Sequence, residues 1–174
     1  GTLVSGVSNP HSLGGLTPYT HYQYYVQADC GVNGTSVWAG PYSFYTGHCI
    51  PSGTLTTSYI DSFTTTGVAG VDITNSATGF STNNYGDYYA THTVSRAANQ
   101  TINFNAAVVG TTVGCAIWVD WNQDGTFATG ERVYNAGTYV STASGSFTVP
   151  GTALVGATRM RIAMDWNATN PLAC

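Results

Sequence analysis

The stretch IWVDWNQDGTFATGERV, residues 117–133, decides the reading of the fold. Ile117, Trp118 and Val119 run into Asp120-Trp121-Asn122-Gln123-Asp124-Gly125, and Glu131 follows five residues after that glycine. This spacing satisfies the D-x-[DN]-x-[DN]-G-x5-E pattern of a calcium loop. A calcium ion takes about 6–8 hard oxygen ligands. Alternating Asp120, Asn122 and Asp124 can turn three side-chain oxygens inward, and Gly125 permits the sharp reversal. Thr126 offers its backbone carbonyl, Ala128 contributes only through water, and Glu131 closes the ring. The flanks at 117–119 and 132–134 read as strands. The expected object is therefore a rigid calcium staple on a β-hairpin, not a sensor that opens a helix pair. The same residues also permit a second reading, a solvated turn at Gln123-Asp124-Gly125 with Arg132 pairing an acid.

The composition agrees with strands and turns. The chain has 174 residues, enough for one domain or two small ones. Charged residues make up 7%, against about 25% in an average protein. There is no lysine, and the net charge is −4, so no basic patch can neutralise phosphates and nucleic-acid binding is excluded. With 43% hydrophobic residues the chain is not a disordered tail. No apolar run approaches the ~18 residues of a membrane span. Thr, Ser, Asn, Gly and Tyr replace the missing charge and favour strands and turns. Such an uncharged β surface suits a secreted or cell-surface protein. No basic-then-apolar leader precedes the fold, and a chain opening on Gly1 is expected to be a piece of something longer.

Strand candidates recur along the chain. A weak one spans 2–7. At 16–30, Tyr22, Tyr24, Val26 and Ala28 alternate with His21, Gln23, Tyr25 and Gln27, which is the period of a half-buried strand. A turn at Gly31-Val32-Asn33-Gly34 leads to an antiparallel partner at 37–47. Further candidates lie at 59–63, 88–94, 101–104, 115–120, 132–134, 144–149 and 158–164. Short, regularly spaced strands without helices predict an all-β antiparallel β-sandwich.

Two resemblances follow from particular residues. Leu16, Pro18, Thr20 and Tyr22, followed by Tyr24, Val26, Ala28, Trp38, Pro41, Phe44 and Thr46, resemble the last strands of a fibronectin type III domain. That resemblance implies a tyrosine corner, in which the Tyr22 hydroxyl bonds back to upstream backbone. It covers about half of such a domain, over residues 1–47, and the first unit is expected to span 1–48. The segments YGDYYATHTV, IWVDWNQDGTFATGERV and TVPGTALVGATRMRIAMD together resemble the GEVED domain of secreted bacterial proteins, over residues 49–174. The Gly-Glu-Val-Glu-Asp strand that names that family would follow Cys174 and is absent. A missing or externally supplied last strand is the expectation.

The four cysteines form no C-x-x-C pair and suit disulfides in an oxidising compartment better than zinc. The GEVED resemblance implies that Cys49 and Cys174 pair. Cys30 and Cys115 are then expected to be unpaired or bonded across copies. Asn33, Asn99 and Asn167 head N-x-[ST] sequons and are glycosylation candidates in an exported protein. Asp165-Trp166-Asn167 echoes the loop but reads as a strand end. No G-x-S-x-G, H-E-x-x-H or phosphate-binding loop is present. His11, His21, His48 and His92 are scattered, and Glu131, the only glutamate, is committed to the loop. The chain is expected not to be an enzyme. Arg159 and Arg161 share one strand face and read as an exposed basic pair.

The resulting expectation is a non-catalytic structural or adhesive module of a secreted or cell-surface bacterial protein with structural Ca2+. Its half domain leaves strand edges open, so head-to-tail strand complementation between copies into a fibre is expected. Its partners are then other copies, or neighbouring domains of a longer chain. The alternative is a carbohydrate-binding accessory module of a secreted hydrolase, whose partners are surface glycans. A plain spacer with no ligand but calcium is the third class.

Overall fold

A computed structural model describes residues 1–17 and 20–174, with Tyr45 described by its backbone alone. The chain divides into two compact units, Gly1–Gly47 and His48–Cys174. The break falls one residue before the boundary expected from sequence. All sheets are antiparallel and no α-helix occurs among the described residues.

The first unit is a hairpin. Strands β1 (His21–Val26) and β2 (Ala39–Tyr45) pair, with Tyr22 opposite Phe44 and Tyr24 opposite Tyr42. These cross-strand partners bring their rings to 5.7 Å and 5.3 Å, the spacing of favourable aromatic pairs. The Thr17 N–H donates to the Tyr22 hydroxyl at 2.9 Å, a bond back to upstream backbone. Pro18 of the corner motif lies outside the described residues. The strand expected at 2–7 does not form. Leu3, Val4 and Val7 are exposed, and a short apolar stretch without a pairing partner does not make a strand.

The second unit is a sandwich of two sheets. One has the order β4-β3-β5-β8, from β3 (Tyr59–Thr66), β4 (Thr74–Asn75), β5 (Thr101–Val109) and β8 (Thr142–Thr148). The other has the order β7-β6-β9, from β6 (Gly114–Val119), β7 (Arg132–Asn135) and β9 (Met160–Asp165). In β5, Ile102, Phe104 and Ala106 point inward while Thr101, Asn103 and Asn105 face water, the alternation of a sheet with one wet face. Phe104 meets Phe63 on its own sheet and Tyr134 of the facing sheet at 4.8 Å. Every residue of β6 is buried. Cys115, Ile117 and Val119 face the other sheet, while Ala116 and Trp118 pack with Ala173, Phe127 and Ala163 on the far side. Gly114 admits the close approach of the Ala168 carbonyl, which a Cβ would meet at 2.0 Å.

The candidate strand at 88–94 is instead a turn, because the N–H groups of Thr91 and His92 both return to the Tyr88 carbonyl. Its aromatic spacing has another use, described below. Cys49 and Cys174 form a disulfide closing a 125-residue separation, with Cα atoms 5.7 Å apart. A closure of that length removes about 4–5 kcal/mol of unfolded-chain entropy in the loop-closure model.

Ile117→Ala in the centre of β6 is expected to cost about 2–5 kcal/mol in denaturant unfolding. Val155→Ala, whose side chain is wholly exposed, is expected to stay within about 0.5 kcal/mol of the parent protein.

Candidate functional site: an acidic loop at the end of the central strand

The loop after β6 is organised by two buried carboxylates. Asp120, 2% exposed, accepts the N–H groups of Asp124 at 3.1 Å and Gly125 at 2.9 Å. Its Oδ2 also lies 2.9 Å from His48 Nε2. Glu131, 7% exposed, accepts the N–H groups of Trp121 at 2.9 Å and Asn122 at 3.3 Å through Oε1, and that of Ala128 at 3.0 Å through Oε2. Five backbone donors thus converge on two acids. Gly125, at φ +80°, makes the reversal that a side chain would strain.

The more exposed members bond among themselves. Asn122 Oδ1 accepts the Asp124 N–H, and its amide nitrogen donates to Asp124 Oδ2 at 2.9 Å. Asp124 Oδ1 accepts both the N–H and the hydroxyl of Thr126, at 2.8 Å and 2.6 Å. Sequence therefore brings Asp120, Asn122, Asp124, Thr126 and Glu131 into one hydrogen-bonded loop. Among the described residues, no three His, Cys, Asp or Glu side chains gather as a metal-holding group. Arg132 does not pair an acid of the loop, since its guanidinium bonds Asn170.

His48 is a residue the sequence reading left unused. It lies against Asp120 and stacks on Phe127, with ring centroids 4.8 Å apart. Burial lowers its pKa, and this outweighs the raising effect of Asp120. Among the described residues, neither Asp120 nor Glu131 has an arginine within ion-pair distance.

The other singled-out residues fall elsewhere. Asp165 pairs in register with Gly114, whereas Met160 pairs with Val119, so the Asp165-Trp166-Asn167 echo sits at the opposite end of β6 from the loop. There Asp165 Oδ1 caps the Asn167 N–H at 2.7 Å and ends β9. Trp121 is half-buried against Phe147, while Trp166 is 55% exposed. Asn33, Asn99 and Asn167 are all exposed. Cys30 is an exposed thiol. Cys115 is buried and burial pushes its pKa up to about 11, so a bond across copies is closed to it in the native fold. The exposed basic pair is corrected in one member, because Arg161 is 5% exposed and bonds the Ala173 carbonyl at 2.7 Å.

A GEVED domain family model matches residues 114–174, from the start of β6 through the loop to the terminal cysteine. The match covers the second half of the segment that resembles that family in sequence and does not reach residues 1–47. No curated protein matches the chain. No solved structure matches it.

Glu131→Ala strips the acceptor from three backbone donors. It is expected to cost about 3 kcal/mol in chemical unfolding. Asp124→Ala, whose partners can turn to water, is expected to cost less than about 1.5 kcal/mol.

Proposed function

We propose that the chain is a non-catalytic structural module of a secreted or cell-surface protein, with a calcium-stapled loop and a first unit that is completed by strands from outside it. The GEVED match over residues 114–174 supports an accessory module of this kind. The Cys49–Cys174 disulfide and the exposed sequons are compatible with an extracellular setting.

The observation that carries the reading is the bare hairpin of the first unit. Tyr24, Tyr25, Val26, Trp38 and Tyr42 are all about half exposed. Among the described residues of that unit, two strands pair. An isolated two-stranded sheet is marginal in water, and open edges with apolar faces recruit further strands. The Thr17–Tyr22 bond supports a fibronectin-like corner as the frame those strands complete. Strands supplied by another copy, each donating in turn, make a contact that does not close and grows into a fibre. Strands supplied by neighbouring domains of a longer chain complete the unit without growth.

Calcium is supported by the chemistry of the loop. Asp120 and Glu131 are buried anions without a basic partner other than His48. A carboxylate offers about four lone-pair sites, and each of these two acids uses three. Lone pairs therefore remain for a hard cation, alongside Asn122, Asp124 and the Thr126 carbonyl. Accepting it requires the exposed side chains to turn inward from their mutual hydrogen bonds.

A second reading, a carbohydrate-binding accessory module of a secreted hydrolase, is favoured by Trp166, Tyr88 and Tyr89. These rings stand exposed around one cleft of the second unit.

Chelation of calcium from the native protein is expected to lower Tm by roughly 5–10 °C at a hundredfold excess of metal over its Kd. Asp124→Ala is expected to abolish that response. A melting curve indifferent to chelator and to added calcium would leave the hydrogen-bonded loop metal-free. In analytical ultracentrifugation, the fibre arm requires species that grow with concentration and shrink on Tyr24→Ser and Tyr42→Ser substitution. A monomer at every concentration would remove that arm.

A further inference from the structure

The second unit carries a cleft of about 1250 Å3 that none of the loop chemistry uses. Three of the four arginines of the chain line it: Arg96, Arg159 and Arg161. Arg96 is neutralised where it stands, by an ion pair to Asp72. Arg159 is ion-paired as well, and Arg161 is not. Arg159 lies 3.2 Å from Asp87, which accepts a bond from its Nη1. Arg161 Nη1 donates to the Ala173 carbonyl and to Cys49 Sγ, but among the described residues no carboxylate lies within ion-pair distance of it, and its Nη2, buried from solvent, has no hydrogen-bond partner.

A buried guanidinium with an unsatisfied N–H is expensive, since a charge leaving water must be paired and hydrogen-bonded. Both guanidiniums gather around one tyrosine. Arg159 Nη1 donates to the Tyr85 hydroxyl at 3.0 Å, and the Arg161 guanidinium carbon stands 5.6 Å from the Tyr85 ring centre. Arg159 immediately precedes β9 and Arg161 is its second residue, and both line the cleft. Two positive groups and one acid, Asp87, leave this corner of the cleft one positive charge in excess. The shortage is of an anion.

We infer that this corner binds the carboxylate of an acidic saccharide. The planar fork of arginine matches a carboxylate in geometry and charge. The carboxylate would bond Arg159, and the Arg161 charge, buried behind it without a carboxylate partner, would add attraction without a direct bond. The rest of the cleft selects a sugar over a bare ion. The Arg159 guanidinium covers one face of Tyr89 at 4.6 Å. Tyr88, Tyr89, Phe80 and Trp166 present partly exposed rings on the same lining. Flat apolar faces among a few fixed polar groups are what a ring-shaped, hydroxyl-bearing ligand requires. This inference deepens the accessory-module reading and rests on it.

The test is calorimetric titration of the whole protein with tetragalacturonate and a hyaluronan tetrasaccharide, against neutral cellotetraose and hexaglutamate. Binding of an acidic saccharide that weakens with added salt, and that exceeds cellotetraose by about tenfold or more, is the expected result. Arg159→Gln should lower that affinity about tenfold or more, and Tyr89→Ala should also lower it. Arg132→Gln, outside the cleft, should leave it unchanged. Arg161→Gln is not needed for the test, because loss of a buried group can unfold the protein. Equal binding of cellotetraose and the acidic sugars would keep a carbohydrate site and overturn the role of charge. Binding of neither class, or of hexaglutamate alone, would overturn the inference.

Discussion

Strand β6 needs cover on both faces, and the second unit is arranged around that requirement. Cys115, Ile117 and Val119 fill the space between the sheets, so the four-stranded sheet must lie on that side. Ala116 and Trp118 point the other way, and no further sheet covers them. Their cover is Phe127 from the acidic loop and Ala173 from the last residues. The last residues are held there by the Cys49–Cys174 bond and by Arg161, which donates to the Ala173 carbonyl. The loop is held by Asp120 and Glu131, whose carboxylates fix its backbone donors. The disulfide, the buried arginine and the two buried acids thus serve one strand. Each brings a cost in desolvation or ordering that burial of Trp118 and Ala116 offsets.

Much of this was legible in the sequence where a pattern has a single physical cause. Alternation in 101–104 marks a sheet with one wet face, and the strand extends to Val109 because Ala106 continues the inward row. The spacing from Asp120 to Glu131 foretold a folded acidic loop. It did not foretell that backbone N–H groups would already occupy most of the carboxylate lone pairs. Local spacing does not say which donors a turn will present.

Other features depended on distant partners and so were hidden. The tyrosines at 88–89 mimic strand alternation, yet they line a cleft whose far wall comes from β9. Arg159 and Arg161 are only two positions apart, but one pairs with Asp87 across 72 positions and the other is buried and bonds the Ala173 carbonyl, twelve positions away. His48 joins Asp120 across 72 positions. The lone strand expected at 2–7 shows the converse error, in which a local pattern had no long-range partner.

The closure between Cys49 and Cys174 has a mechanical meaning. Its two Cα atoms are 5.7 Å apart although 125 positions separate them in the chain. A pull applied at those two residues runs through the sulfur–sulfur bond and never enters the sheets. The sandwich therefore neither lengthens nor unravels under a load carried across its own staple. Until a reductant cuts that bond, the distance between those two residues stays fixed, and the acidic loop and the arginine cleft keep their shape under such a pull.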